Sequence, residues 1–258
     1  MHKRFAPRVS LLLVVLTSAL LACQASGLVP SFLATATLTI TPSPIPTATS
    51  LPTSTPSSDI SLEPQVDGSM LFTDPKTGFS LLIPSTWVGI PANVDDITPY
   101  VEQATENNPQ FSEALSMLQK IDPNTFRIMV LDSNIDHYTG NYVPNFTILA
   151  MKDPRSTKMP LKSWAKLIGG SIKSQFPQAN MLNSGVEQVS GDFSYGYNEW
   201  QIPFNGQGGA VIKVFQKQAF FPVQDYLVVM TLSAHSTNYE DALLEFNTII
   251  KTVQRLDQ

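Results

Sequence analysis

Apolar and polar positions divide the chain into three stretches of different character. Val9 to Ala22 is an uncharged, mostly apolar run of 14 residues. Gln24 to Ser58 has no charged residue and is dominated by Thr, Ser, Pro and Ala. Only from about Gln65 do short apolar runs alternate with polar turns as in a packed domain. There the pattern predicts a strand, a tight turn and a strand over Met70–Asp74, Lys76-Thr77-Gly78 and Phe79–Pro84. Asp95–Ile121 is helical in pattern and broken near Asn108-Pro109, with Asp95 and Asp96 suited to a helix start. Phe126–Asp132 and Asn145–Met151 read as apolar strands, and Leu161–Phe176 as a helix stopped by Pro177. Four further strands are expected over Met181–Gly191, Tyr195–Phe204, Ala210–Gln218 and Asp225–Ala234. The run Asn205-Gly206-Gln207-Gly208-Gly209 supplies the hairpin turn between the middle pair. A last helix over Tyr239–Val253 lines up Leu243, Phe246, Ile249, Ile250 and Val253 on one face. Consecutive strands on short turns imply an α+β fold, a mainly antiparallel sheet with helices packed on it.

Composition narrows the function classes. Charged residues make up 14% of the 258 positions, well below the usual quarter, and the formal charge is −5. A negative chain is a poor match for nucleic acid, whose binding rests on phosphate contacts. A single cysteine forms no internal disulfide and no Cys-rich zinc site, and three histidines leave little for a His-centred metal site.

The first two stretches read as a targeting segment and a tether. Lys3, Arg4 and Arg8 precede the apolar run, which as a helix spans roughly 21 Å against a hydrocarbon core of ~30 Å. It therefore reads as a cleaved signal rather than a permanent span. It ends in Leu20-Leu21-Ala22-Cys23, which resembles the lipobox of bacterial lipoproteins cleaved by the type II signal peptidase. The resemblance implies that Cys23 carries diacylglycerol and becomes the first residue. Two acyl chains at about 0.8 kcal/mol per buried CH₂ make a stable anchor. Removing residues 1–22 takes away three basic residues and no acidic one, which lowers the formal charge from −5 to −8. A surface that negative stands off anionic lipid, so the expected membrane contact is the lipid itself. Residues 23–64 are then the lipidated Cys and a proline-rich tether, of which 24–58 alone would reach on the order of 110 Å fully extended. Residues 65–258 are the folded domain.

The domain also resembles a known family. Phe72-Thr73-Asp74-Pro75-Lys76-Thr77-Gly78-Phe79-Ser80-Leu81-Leu82-Ile83-Pro84-Ser85-Thr86-Trp87 is similar to the opening of PsbP-like proteins. These are α/β/α sandwiches related to the extrinsic photosystem II subunit and to DcrB-type lipoproteins. Tyr226-Leu227-Val228-Val229-Met230-Thr231, followed by Phe246-Asn247-Thr248-Ile249-Ile250, resembles their close. The resemblance spans about residues 70–255. It implies a PsbP-like α/β/α sandwich and brings no common catalytic motif to carry over.

Candidate chemistry is sparse. Ser163-x-x-Lys166 and Lys76-Thr77-Gly78 mimic two elements of penicillin-recognising serine enzymes, but their order is reversed and the Ser-Asp-Asn element is missing. His137 and His235 have no nucleophile at a motif spacing, and Gly206–Gly209 precedes a strand rather than a helix N-terminus. Gly169-Gly170 inside a helix suggests close approach of that helix to the sheet. Asp132, Asn134 and Asp136 have the alternate-oxygen spacing of a calcium loop, but His137 and Val143 stand where that loop needs Gly and Glu. Phe220-Phe221-Pro222-Val223 follows a strand whose faces are Ala210/Ile212/Val214/Gln216 and Val211/Lys213/Phe215/Lys217. Pro222 predicts a turn there, with at least one Phe exposed as a ligand or partner contact. Trp87 and Trp200 are the next contact candidates. The expectation is thus a lipid-anchored binding or accessory protein on the extracytoplasmic face of a bacterial membrane, without catalytic residues or cofactor. It would hold a protein partner or an apolar ligand. The alternative is an envelope hydrolase or metal-assisted enzyme using surface carboxylates such as Asp132 and Asp136.

Overall fold

The computed structural model describes residues 60–91, 125–139, 142–190, 193–205 and 211–256. The signal segment, Cys23, the tether up to residue 59, the helix expected over Asp95–Ile121 and the glycine turn at 206–209 lie outside the described residues. The strands are β1 (Ser61–Pro64), β2 (Met70–Asp74), β3 (Phe79–Ile83), β4 (Trp87–Pro91), β5 (Phe126–Asp132), β6 (Asn145–Lys152), β7 (Asn180–Ser190), β8 (Phe193–Asn205), β9 (Val211–Val223), β10 (Tyr226–His235) and β11 (Gln254–Arg255). The α-helices are α1 (Leu161–Gln175) and α2 (Tyr239–Lys251).

Antiparallel pairing builds two sheets. The larger runs β4-β5-β6-β10-β9-β8-β7 and the smaller β1-β2-β3-β11. The fold is α+β, as the alternation implied. Side chains of a strand point alternately to the two sides, so each central strand serves two cores. Val228, Met230 and Leu232 of β10 join Phe146, Phe221, Phe246 and the small sheet's Phe72 and Phe79. Leu227 and Val229 join Trp164, Ile168, Ile172 of α1, Trp200 and Phe220 on the opposite side. The side beyond the first core carries α2 together with the four-stranded sheet, not helices alone.

One ion pair pins the two sheets together. Arg127 of β5 donates from Nε to Asp74 Oδ2 at 2.7 Å and from Nη2 to Oδ1 at 3.0 Å, with both side chains fully buried. Asp74 also accepts the Thr77 amide at 3.1 Å, closing the β2–β3 turn. Gly78 completes that turn at φ +81°, a left-handed backbone that suits glycine.

Several expectations are corrected. The packed domain begins before residue 65, inside the expected tether: Ile60 is buried in the first core and β1 pairs with β2 from Ser61↔Thr73 to Pro64↔Met70. Four residues ending in proline carried too little pattern to mark a strand. Trp87–Pro91, unassigned from the sequence, is the edge strand β4, paired with β5. Most consequentially, β9 does not stop at Gln218 but runs to Val223, and the turn falls at Gln224-Asp225, with Gln224 at φ +52°. Pro222 is tolerated because β8 pairs with β9 only up to Gly196↔Phe220, so the missing N–H faces no neighbouring strand there.

Candidate functional site

The residues singled out from the sequence do not form a surface. Phe220 and Phe221 are both 0% exposed, because neighbours within a strand point to opposite sides and both sides are covered. Phe220 packs in the α1 core, where Gly196 opposite it leaves room; a Cβ at that glycine would lie 2.2 Å from the Phe220 ring. Phe221 packs in the α2 core, edge-on to Phe79 and Phe193. Trp87 is buried against Phe146, and its Nε1 donates to Glu245 of α2. Trp200 is buried under α1. None of these four rings is an exposed contact.

The loop Asp132–Asp136 is occupied with its own geometry. The buried Asp132 accepts the Asn134 amide at 2.8 Å and meets His137 Nδ1 at 2.6 Å. Asn134 Oδ1 accepts the Asp136 amide at 3.1 Å, while the Asp136 residue itself is exposed. The oxygens of Asp132 and Asn134 thus fold the loop instead of converging on a cation. Burial pushes the Asp132 carboxyl above its ordinary range, against the opposing pull of the Asn134 and His137 bonds. No group of three His, Cys, Asp or Glu positioned for a metal occurs among the described residues. Ser163 and Lys166 lie on α1, and the Lys76–Gly78 turn belongs to the small sheet on the other side of the large one, so the two motifs do not meet.

A different place has the form of a site. α1 begins after Pro160 and buries Trp164, Ala165, Ile168, Gly169 and Ile172 on the sheet. Lys162, Lys166, Gly170 and Lys173 fall on the adjacent stripe, at helical spacings that align them. This stripe, the Trp200 floor and the Asn180–Gly185 stretch of β7 enclose a groove of about 840 Å³. α1 comes close to β7 at Gly169, where a Cβ would lie 2.8 Å from Met181 Cε. Gly170 is the opposite case, facing open space with nothing within 4 Å of a Cβ. The close approach expected of the glycine pair holds for one member, and the other leaves the groove open. Lys173 donates to Pro177 O at 2.8 Å and Ala179 O at 2.7 Å, holding the turn between α1 and β7. Lys162 and Lys166 are exposed and form no ion pair with a described residue. The groove therefore joins an apolar floor to unneutralised positive charge in a chain that is negative overall. The lysine stripe at 162, 166 and 173 was the signal available in the sequence.

Beneath the same face lie two polar rows. Register places Asn198, Gln218, Thr231 and Thr147 side by side across β8, β9, β10 and β6, with Trp200, Gln216, Ser233 and Asn145 in the next row. Asn198 is satisfied by Ser184 Oγ and the Ala165 carbonyl, and Gln216 Nε2 donates to Ser233 Oγ at 2.9 Å. Gln216 Oε1, both amide atoms of Gln218, Thr231 Oγ1 and Trp200 Nε1 have no hydrogen-bond partner among the described residues.

A second titratable cluster lies on the α2 side and is internally complete. Lys217, expected on a partly exposed face, is 2% exposed. It donates to Asn247 Oδ1 at 2.9 Å, lies 3.5 Å from Glu199 and 3.8 Å from Glu187, and sits 4.9 Å from the Tyr197 ring centre. Tyr195 donates to Glu187, and burial together with that carboxylate drives its phenol upward. A lysine so surrounded has its charge balanced in place.

No family model and no curated protein matches the chain. Solved structures similar to it include cyanobacterial PsbP (CyanoP) from Synechocystis, at 13% identity and a TM-score of 0.45 over 74% of this chain and 94% of that one. LpqN of Mycobacterium tuberculosis, described as involved in cell envelope biogenesis, is similar at 13% identity and a TM-score of 0.35 over 50% and 72%. The Ran-binding protein Mog1p of Saccharomyces cerevisiae is similar at 10% identity and a TM-score of 0.42 over 78% and 97%. At these values the likenesses carry no argument about what this chain binds or does. No helix among the described residues is long and apolar enough to cross a membrane.

Proposed function

We propose that this chain is a lipid-anchored, extracytoplasmic binding protein of PsbP-like build, without catalytic activity, that holds an anionic partner in the groove between α1 and β7. The carrying observation is the groove itself, with Lys162 and Lys166 in no ion pair with a described residue above an apolar floor. The Leu20-Leu21-Ala22-Cys23 sequence and the charge-free tether support the anchor, and the motif from Phe72 to Trp87 supports the build. The carboxylates considered for a hydrolase, Asp132 and Asp136, are respectively buried in a loop and isolated on the surface, and nothing favours that reading.

The test uses protein extracted from bacterial membranes. Titration with polyglutamate should show saturable binding that weakens with salt. The paired reversal Lys162→Glu and Lys166→Glu should lower affinity about tenfold or more, while Lys213→Glu on β9 leaves it unchanged. Equal affinity for all three proteins contradicts the groove. Mass spectrometry of the same material should find diacylglycerol on Cys23, and an unmodified mature terminus contradicts the anchor.

A further inference from the structure

We propose that β7 accepts an extended acidic polypeptide as an additional strand of the large sheet, with carboxylates on its α1 side reaching Lys162 and Lys166. This rests on the groove being the binding site and specifies its occupant.

β7 is 11 residues long and ends the strand order of the large sheet, so among the described residues one of its edges has no partner. A strand edge offers a row of unpaired N–H and C=O groups. Proteins usually blunt such edges with proline or lysine, and β7 has neither. Its one charged residue is Glu187, which accepts the Tyr195 hydroxyl on the side away from α1. Irregular register marks Met181/Asn183 and Gln188/Ser190, and between them Asn183 to Gln188 pairs evenly with Glu199 to Ser194. That leaves a regular stretch of edge bounded at both ends. Met181 and Val186 are 43% and 40% exposed. The register shift between Met181 and Asn183 brings both to the α1 side, opposite Trp200 and Gly196.

The α1 stripe sets the chemistry of the incoming strand. α1 and β7 are joined by the short turn 176–179 and run back along each other, Lys173 near Ala179, Gly169 near Met181, and Ala165 near Asn198, which bonds Ser184. Continuing that alignment brings Lys162 and Lys166 beside the regular stretch. Four helical residues advance about 6 Å and two strand residues about 6.8 Å. Carboxylates at alternate positions of an added strand therefore match the two lysines in spacing as well as in charge. A second copy of this chain is the poorer occupant. Two-fold pairing of β7 with itself puts both α1 helices on the same face and turns their lysine stripes toward each other.

The probe is an acetylated, amidated Thr-Glu repeat of about ten residues, enough to span the regular stretch. It is compared with the Thr-Lys repeat and with a Thr-Glu repeat N-methylated at every amide, which leaves neither edge able to donate. The proposal expects saturable binding of the first alone. It also expects protection, by about tenfold or more against hydrogen exchange, of those amides between Asn183 and Glu187 that are not already bonded to β8. Equal binding of the N-methylated peptide, with polyglutamate still captured through Lys162 and Lys166, overturns strand addition and leaves the groove standing. Indifference of the peptide to the paired lysine reversal overturns both. A concentration-dependent dimer that the peptide fails to dissociate, seen by sedimentation, assigns β7 to a second copy and overturns the proposal.

Discussion

The two faces of the seven-stranded sheet are made by the same strands and filled on different terms. Beneath α2, aromatic rings meet at 5.0 to 6.4 Å, the Arg127–Asp74 pair is bidentate, and Lys217 is enclosed by its own counter-charges. Beneath α1, two rows of mostly polar side chains cross four strands, with more buried atoms unpartnered among the described residues than the Thr77 and Tyr239 hydroxyls on the α2 side, and the helix leaves a groove along an edge that no described strand covers. A buried donor or acceptor without a partner costs roughly 1–3 kcal/mol, so the second face is not built for maximal stability. Departures of that kind collect where a protein serves something other than its own folding. The difference separates a face that holds the fold from a face available for binding.

The comparison breaks most sharply at the ion pair. Asp74→Ala should cost about 3–5 kcal/mol in urea unfolding, because it removes the carboxylate that balances a buried guanidinium. Replacing both partners with apolar residues should recover most of that loss. Gln218→Met tests the other face and should be neutral or stabilising by about 1 kcal/mol, since it removes two buried atoms that bond to no described residue. A loss as large as that of Asp74→Ala would show the two faces to be alike.

Smaller effects sharpen the picture. Gly170→Ala should stabilise by about 0.5–1 kcal/mol, because the helix gains and no atom is met. Gly169→Ala should gain less or lose, since Met181 must move. Finally, burial raises the Asp132 carboxyl above 3.8, so the folded chain keeps that proton to higher pH than the unfolded chain does. Its contribution favours folding at low pH and declines as pH rises from 3.8 through the raised folded value. Asp132→Asn, which does not ionise, should therefore compare best with the parent near neutral pH and worst near pH 4. Melting curves across that range check the sign.

Legibility in the sequence followed the same division. Alternation located β2, β3, β5, β6, β8, β10 and both helices, because each has an apolar side pressed into a core, and it also located β7, whose side chains are mostly exposed. It stopped β9 at Gln218 because Phe220-Phe221-Pro222 resembles a breaker. A strand covered on both faces has no polar side to alternate with, and the proline's tolerance depends on where β8 stops pairing. β1 and β4 were missed because short edge strands carry little pattern. The site candidates went to aromatic residues, which prove to be the core. The groove needed helix and sheet in place, since Lys162, Lys166 and an open Gly170 look like any solvated helix face until β7 is set beside them.

The central claim is that the groove between α1 and β7 is where this protein binds. Filling it is the most direct test, and Gly170→Trp does so from a position with open space around it. The account predicts unchanged or higher melting temperature and loss of saturable polyglutamate binding. Binding that survives at the parent's affinity in a stably folded Gly170→Trp protein would contradict it.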